Sequence, residues 1–332
     1  MFVGRLFYSL ALALFVACAT DAAAAATPPL PAVDRIVVIV LENQEAASIL
    51  SASPDASRTP RLDRLAHANG IAANYFGIAH PSLPNYIALI AGDTFGIADD
   101  RGSCFTRTLK RHCHRFGARN LVDELEKKHI SWTALMQSMP RAAFLGGGYF
   151  FSTTYAEKHN PFVYFSDIAT NAQRMAHIVP LESVDAVRTL LSDGKTAPRF
   201  LFIVPDLCHD MHGAPQCLDR DDMYAQSDAF VSDLVSAIQH SAAFTNRSAI
   251  FITWDEGTSN AACCDLQSGG GRVAAIVVGK HGAPRRSNAA YNHYSLLNTI
   301  ETVWGLGRVG HTGERNTNGK PRFAPILDLL PR

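Results

Sequence analysis

The stretch RIVVIVLEN, from Arg35 to Asn43, opens on an arginine, runs through six consecutive valine, isoleucine and leucine side chains, and stops on Glu42 and Asn43. A strand with one wet face alternates apolar and polar residues; this one does not, so both of its faces must be covered, as in a parallel sheet layered by helices. Three more short runs read the same way: Phe200 to Pro205 (FLFIVP), Ser248 to Trp254 (SAIFITW) and Val273 to Val278 (VAAIVV). Between and around them, Asn120 to His129, Met223 to His240 and Tyr294 to Gly305 carry helical patterns, whereas Ser51 to Pro60 and Gly269 to Gly271 read as loops. Strands separated by helices predict an α/β sandwich, doubly wound, with a central and mostly parallel sheet.

The polar residues at the end of each run point to a site. Glu42 and Asn43 succeed the first; Asp206, His209, Asp210 and His212 succeed the second; Asp255 and Glu256 succeed the third; Gly279, Lys280 and His281 succeed the fourth. Ligands of open α/β sheets bind outside the carboxyl ends of the strands, so residues distant in sequence are expected to converge there.

The composition of the 332 residues, 47% hydrophobic and 18% charged, supplies a sizeable core and excludes a disordered chain. Thirty basic residues balance thirty acidic ones. That balance leaves no overall field to gather nucleic acid, although a local cation or a helix N-terminus can still hold a small phosphate. Arg5, the apolar run Leu6 to Ala17 and the small residues Ala22 to Ala26 before Pro28 and Pro29 form the pattern of a secretory leader. Residues 1–26 are therefore read as a signal peptide and 27–332 as one catalytic domain, exported to the periplasm or secreted. The run is too short for a transmembrane helix, which needs about 20 apolar residues. Phe15-Val16-Ala17-Cys18 offers a lipoprotein cleavage site as the rival reading, with Phe where Leu is usual; cleavage among Ala22 to Ala26 is preferred.

Without Cys18, the cysteines left are Cys104, Cys113, Cys208, Cys217, Cys263 and Cys264. An even number in an exported chain suggests disulfides, and close spacing favours local loops from Cys104 to Cys113 and from Cys208 to Cys217. Adjacent Cys263 and Cys264 require a vicinal bond or other partners. None of the pairs has the CxxC spacing of a structural zinc site.

Glu42 and Asn43, then Asp255 and Glu256, offer hard oxygen ligands at two strand ends. Either pair alone is as well explained as a cap for the next element. Together the three carboxylates repel unless a cation compensates them, which favours one divalent metal ion, whether Mg, Mn, Ca or Zn. In HPSLPNYIAL, from His80 to Leu89, Ser82 stands just before a proline-initiated helix, with Asn85 beside it. Such a hydroxyl either caps the helix or, with a metal to activate it, serves as a nucleophile where free backbone N–H groups can cradle a phosphoryl oxygen. His159, His209, His212 and His293 lie in polar, loop-like contexts, from which they could bind phosphate oxygens or protonate a leaving alcohol. His129, His240 and His311 read as structural or surface residues. There is no Walker loop and no GxGxxG after the first strand, which removes nucleotide and dinucleotide chemistry, and no GxSxG elbow.

The ordered set VVIVLENQ, HPSLPNYIALIAG, KHNPFVYF, PDLCHDMHG, ITWDEG and YNHYSLLNTIETVWGL resembles the phosphoesterase family of bacterial phospholipases C and acid phosphatases in the alkaline-phosphatase superfamily. The match runs from about Ile36 to Leu306. The resemblance implies an alkaline-phosphatase-like α/β/α fold and hydrolysis of phosphate esters through a phosphoserine. It makes Glu42, Asn43, Asp255 and Glu256 metal ligands together with Ser82, Ser82 the nucleophile, His80 its assistant, and His159 and His209 phosphate-binding or acid residues. Asp206, Asp210, His212, Asn85 and His293 are further candidates. Without the long insertions expected of the larger phospholipase-type members, the sequence looks like the compact acid-phosphatase-like branch, with a small phosphate ester as the expected substrate and a phospholipid as a further candidate. Two other readings remain: a metal-independent serine carboxylesterase with a Ser82 triad, disfavoured by the missing elbow, and an exported module that only binds metal.

Overall fold

The computed structural model describes residues 1–2, 29–54, 57–106, 112–146, 153–217 and 222–331. The leader and its Cys18 alternative fall in 3–28, outside the described residues. The chain divides into Met1–Leu30 and Pro31–Arg332, and the strands and helices of the described residues lie in the second unit.

In chain order the elements are β1 (Arg35–Leu41), α1 (Ala46–Ile49), α2 (Pro60–His67), β2 (Gly70–Phe76), α3 (Ser82–Ala91), α4 (Leu121–Lys127), β3 (Trp132–Gln137), α5 (Ser166–Ala169), α6 (Ala172–Met175), β4 (Ile178–Leu181), α7 (Val184–Leu190), β5 (Phe200–Val204), α8 (Met223–His240), β6 (Ser248–Trp254), β7 (Arg272–Val273), β8 (Ala275–Val278), β9 (Arg285–Asn292) and α9 (His293–Trp304). The strands form one sheet in the order β4-β3-β5-β1-β6-β8-β2-β7, with β9 also paired to β2. From β4 through β6 every pair is parallel. Every residue of β1, β5 and β6 is buried, as a strand covered on two faces requires. Helices α2 and α7 both pack on α8, and α4 and α9 both pack on α3, two groups that cover the sheet.

The run at Val273 departs from the expected parallel strand. It is split between β7 and β8, which run antiparallel to their neighbours β2 and β6. No helix separates Trp254 from Arg272. The chain therefore re-enters the sheet from the rim at which it left, and only an antiparallel strand can come next. Strands β2, β3, β4 and β9 are not evident from the sequence. β9, RRSNAAYN, is an edge strand that pairs with β2 alone and keeps five of its eight residues away from the core, so it lacks an apolar signature.

Asn120 and Asp123 close a capping box on α4, the Asn292 side chain accepts from Ser295 N at the start of α9, and Gly305 ends that helix at φ +59°. Each fully buried valine, leucine or isoleucine stabilises the fold by about 1.5–3 kcal/mol, and the β1, β5 and β6 core is rich in them. That reserve matters, because the rim above the core carries several buried carboxylates.

Candidate active site

The register places the two acidic strand ends side by side. Leu41 pairs with Trp254, and Asp255 N donates to Leu41 O at 2.8 Å, so Glu42 and Asp255 leave the sheet together. Glu42 N donates to Asp210 O at 2.8 Å, which ties in the loop after β5. The backbone turns at once, with Asn43 at φ +55°, a conformation that asparagine tolerates better than most residues. Asn43 N then donates to Asp255 Oδ1 at 3.0 Å and Asn43 Nδ2 to Glu42 Oε2 at 3.2 Å.

Ser82 reaches the same rim from β2, which runs in the same direction as β1 and β6. After β2, the segment through a cis His80–Pro81 peptide is clasped by the buried Asn85, whose Oδ1 accepts from Ile78 N (2.7 Å) and Ala79 N (3.1 Å) and whose Nδ2 donates to Ala79 O (2.8 Å). The loop also needs Gly77, because a Cβ there would stand 2.8 Å from the carbonyl oxygens of Asp255 and Gly270. Ser82 is the first residue of α3, and its hydroxyl makes no cap bond. Its Oγ donates instead to Glu42 Oε2 at 2.9 Å and lies 3.5 Å from Glu256 Oε1. Glu42, Asn43, Ser82, Asp255 and Glu256 are thus gathered in one place.

Burial dominates their electrostatics. Glu42, Ser82 and Asp255 are almost fully enclosed. Desolvation pushes the Glu42 and Glu256 carboxyls up to about 7, and it raises Asp255 and Asp210 well above the usual aspartate range, helped in both by the charge of Glu42. Asp255 Oδ2 and Glu42 Oε1 are buried without a hydrogen-bond partner. Among the described residues, no three His, Cys, Asp or Glu side chains are drawn together so as to hold a metal ion by themselves. The oxygen-rich set fits a hard divalent ion only when Asn43 and Ser82 contribute with the carboxylates, and the unpartnered oxygens are the groups such an ion would satisfy.

The histidines divide. His80 faces Glu256 Oε2 through Nδ1 and donates from Nε2 to Ser259 O at 2.9 Å. Burial lowers its pKa, but these two contacts outweigh it and hold it above the ordinary histidine value. His159 is buried, stacks on Tyr86 with ring centroids 5.0 Å apart, and places Nε2 3.1 Å from Glu42 Oε1 and Nδ1 3.4 Å from Asp210 Oδ2. Desolvation, with the charges of Lys158 and His212, keeps it neutral. His293 donates from Nε2 to Asp255 O at 2.5 Å and accepts from Tyr75 OH at 3.0 Å, and burial lowers it to about 4. It therefore fixes the backbone of Asp255.

His209 is placed elsewhere. Its Nδ1 lies 2.9 Å from Asp206 Oδ1 and its ring stacks on Phe230 at 4.5 Å, with no contact to Ser82 or Glu42. Asp206 also accepts from Ser138 Oγ (2.6 Å), Thr154 Oγ1 (2.8 Å) and Cys208 N (3.1 Å), so the pair braces the loop after β5. His212 closes on Gly213 O at 2.8 Å and lies 5.9 Å from the His159 ring, centroid to centroid.

Sequence reasoning misses two residues beside the serine. Lys158 Nζ donates to Ser82 Oγ at 3.3 Å and to Asp100 Oδ2 at 2.8 Å, while Asp100 Oδ1 accepts from Leu83 N at 2.9 Å. Burial works against the lysine's charge, but Glu42 and Asp100 hold it above the usual lysine range. Lys158 is legible in KHNPF beside His159; Asp100, in a loop without pattern, carries no signal.

Disulfides join Cys104 to Cys113 and Cys208 to Cys217, and Cys263 is bonded to Cys264. The last lies in the 257–270 loop that also supplies Ser259 O to His80. The triad reading fares poorly, because no imidazole is among the hydrogen-bond partners of Ser82 Oγ in the described residues.

The chain is similar to known phosphoesterases. The model of the Phosphoesterase family matches residues 42–307. A phosphate-repressible acid phosphatase of Penicillium chrysogenum is 30% identical over 287 residues, 84% of this chain and 61% of that protein. This chain thus spans about three-fifths of that relative. A phosphatidylinositol-3-phosphatase of Mycobacterium tuberculosis is 29% identical over 298 residues, 89% of this chain and 84% of its own. Among solved structures, a member of the alkaline phosphatase superfamily from Vibrio parahaemolyticus superposes with a TM-score of 0.54 at 13% identity, covering 86% of this chain and 74% of the other. The lipoteichoic acid synthase LtaP of Listeria monocytogenes gives 0.54 at 11% identity, covering 90% and 77%. At such identities the likeness is one of fold.

Proposed function

Because this chain belongs to the Phosphoesterase family, we propose that it is an exported, metal-assisted phosphatase that hydrolyses phosphate esters through a covalent intermediate on Ser82. The observation that carries the reading is the Ser82 hydroxyl, 2.9 Å from Glu42 Oε2 within a cluster of buried carboxylates at the carboxyl rim of the sheet. The names of the relatives, acid phosphatases and a phosphatidylinositol phosphatase, support a phosphate ester as substrate. The leader-like start of the sequence and the disulfides support export.

Glu42, Asn43, Ser82, Asp255 and Glu256 would hold one divalent ion. When bound, it supplies Lewis-acid activation of the hydroxyl and neutralises charge on the phosphoryl group. The chain's own residues do the rest. Ser82 Oγ attacks phosphorus, the bond to the leaving oxygen breaks, and the proton of Oγ has an acceptor in place at Glu42 Oε2. The departing alkoxide takes up one proton and leaves as the alcohol. Both ring nitrogens of His80 face oxygens, Glu256 Oε2 and Ser259 O, so the His80–Glu256 pair holds a proton that one nitrogen cannot lose without losing a contact. With its side chain 34% exposed, His80 is the histidine of the site best placed to deliver that proton. Water then attacks the phosphoserine, releasing inorganic phosphate and restoring the hydroxyl. His159 stays neutral beside Glu42 and orients it.

The test is turnover of p-nitrophenyl phosphate by purified protein and by Ser82→Ala, with folding checked by circular dichroism. Loss of at least about 1000-fold in kcat is expected, as for removal of other serine nucleophiles, together with loss of wild-type activity on chelation and its return on adding a divalent ion. Wild-type turnover by the folded Ser82→Ala protein would contradict the assignment.

A further inference from the structure

The steps above give Lys158 no role, yet its ammonium donates to Ser82 Oγ at 3.3 Å. The cluster it faces is rich in carboxylates. Glu42, Asp255 and Glu256, the last sharing a proton with His80, about balance one divalent ion, so the charge that a substrate phosphate brings is offset only by a further cation. Among the described residues, Lys158 is the basic side chain bonded to Ser82 Oγ. Its side chain is 21% exposed, so it is not sealed in the core.

Asp100 explains how the lysine is held there. One carboxylate oxygen accepts from Nζ at 2.8 Å and the other from Leu83 N, at the start of the ten-residue helix α3. Because the helix end compensates part of the Asp100 charge, Asp100 remains anchored whether or not it keeps Nζ. Lys158 has three donors: one serves Asp100, one serves Ser82 Oγ, and one is left to give. Once Oγ is bonded to phosphorus, the non-bridging oxygens lie one bond further along, within reach of an ammonium 3.3 Å from Oγ.

The place of that contact bears on which esters fit. During in-line attack a monoester presents three unesterified oxygens around phosphorus, and each can accept from Nζ. A diester presents two. Its third equatorial position carries a substituent, and any orientation that turns this group toward Lys158 costs the charge-assisted bond and crowds the Lys158–Asp100 pair. A monoester dianion also gains more from the ammonium than a diester monoanion does.

Resting on the phosphatase reading above, we infer that Lys158, positioned by Asp100, contacts a phosphoryl oxygen and makes this site select terminal phosphomonoesters over phosphodiesters. Selectivity resides in one cation beside the nucleophile, not in the cluster that activates it.

The experiment compares kcat/KM for p-nitrophenyl phosphate and bis(p-nitrophenyl) phosphate, along with competitive inhibition by inorganic phosphate. Wild type, Lys158→Met, Lys158→Arg and Asp100→Asn are measured, all loaded with the same divalent ion. The wild type is expected to favour the monoester. Lys158→Met should lose about 100-fold on the monoester, the loss typical of one oxyanion donor, and clearly less on the diester, so that the monoester preference falls. Inhibition by phosphate should weaken in parallel. Lys158→Arg should retain part of the preference and Asp100→Asn should lower it, which keeps the test alive if Lys158→Met fails to fold. A wild type that favours the diester, or variants that lose both substrates equally, would overturn the inference. Such results leave the phosphatase reading intact, since that stands or falls on Ser82→Ala.

Discussion

His293 touches none of the candidate reacting atoms, yet it holds one of their carriers. Buried and neutral, it bonds to Asp255 O on one side and accepts from Tyr75 OH on the other, so the carboxylate beside it starts from a fixed backbone. Replacing it with alanine should lower kcat/KM by about 10- to 100-fold, the range for groups that orient a ligand, and should raise the divalent-ion concentration needed for half-maximal activity. Tyr75→Phe, which removes only the outer bond, should cost less. An unchanged metal requirement in a folded His293→Ala protein would show that the residue is a packing group alone. At this scale the sequence is legible wherever chemistry breaks a pattern. Glu42 and Asp255 stop apolar runs, and Ser82 stands beside prolines in a helix start. Lys158 and Asp100, which meet the Ser82 turn from separate segments, cannot be paired without the fold. His209 looks much like His159 in sequence, but only the latter packs against Glu42.

The loop after β5, PDLCHDMHG, shows how an element can be rich in chemistry and still serve mainly as architecture. Asp206 is the hub of this loop. Burial pushes its carboxyl up, but His209, Ser138 and Thr154 outweigh that and hold it below the ordinary aspartate value. A carboxylate whose folded pKa is depressed stabilises the protein above its unfolded pKa, and that contribution disappears as pH falls through the folded value. Asp206→Asn should therefore cost about 2 kcal/mol at neutral pH, the scale of hydrogen bonds to a charged group. The deficit should shrink as pH drops below about 4. Thermal melts of both proteins across that range measure it; a deficit constant with pH would contradict the ionic role. The buried parallel strands are readable because continuous apolar runs have few other uses. β9 is not, since an edge strand satisfies its backbone on one side and keeps polar side chains. The VAAIVV run is recognisable as a strand, but its direction depends on the segment joining it to β6, and a run of apolar residues carries no direction.

On the scale of the whole molecule, a well-packed sheet supports a rim that would be unfavourable alone. Buried carboxylates facing one another destabilise the metal-free protein, and a divalent ion should relieve this. Adding Mg, Mn, Ca or Zn is expected to raise the melting temperature, by linkage worth about 2.7 kcal/mol at a hundredfold excess over Kd. Asp255→Asn should melt higher than wild type without metal and respond less to it. No shift with any of the four ions would argue against a metal in this site. The family fold is legible because its strand ends share one edge, whereas the depth of charge burial there is evident only in three dimensions. The central claim is that Ser82 carries the phosphoryl group during turnover. Acid quenching of the enzyme during hydrolysis of p-nitrophenyl phosphate, with peptide mass spectrometry of the quenched protein, tests it most directly. Phosphate on Ser82, absent from Ser82→Ala, is the predicted result; phosphate trapped on any other side chain would contradict it.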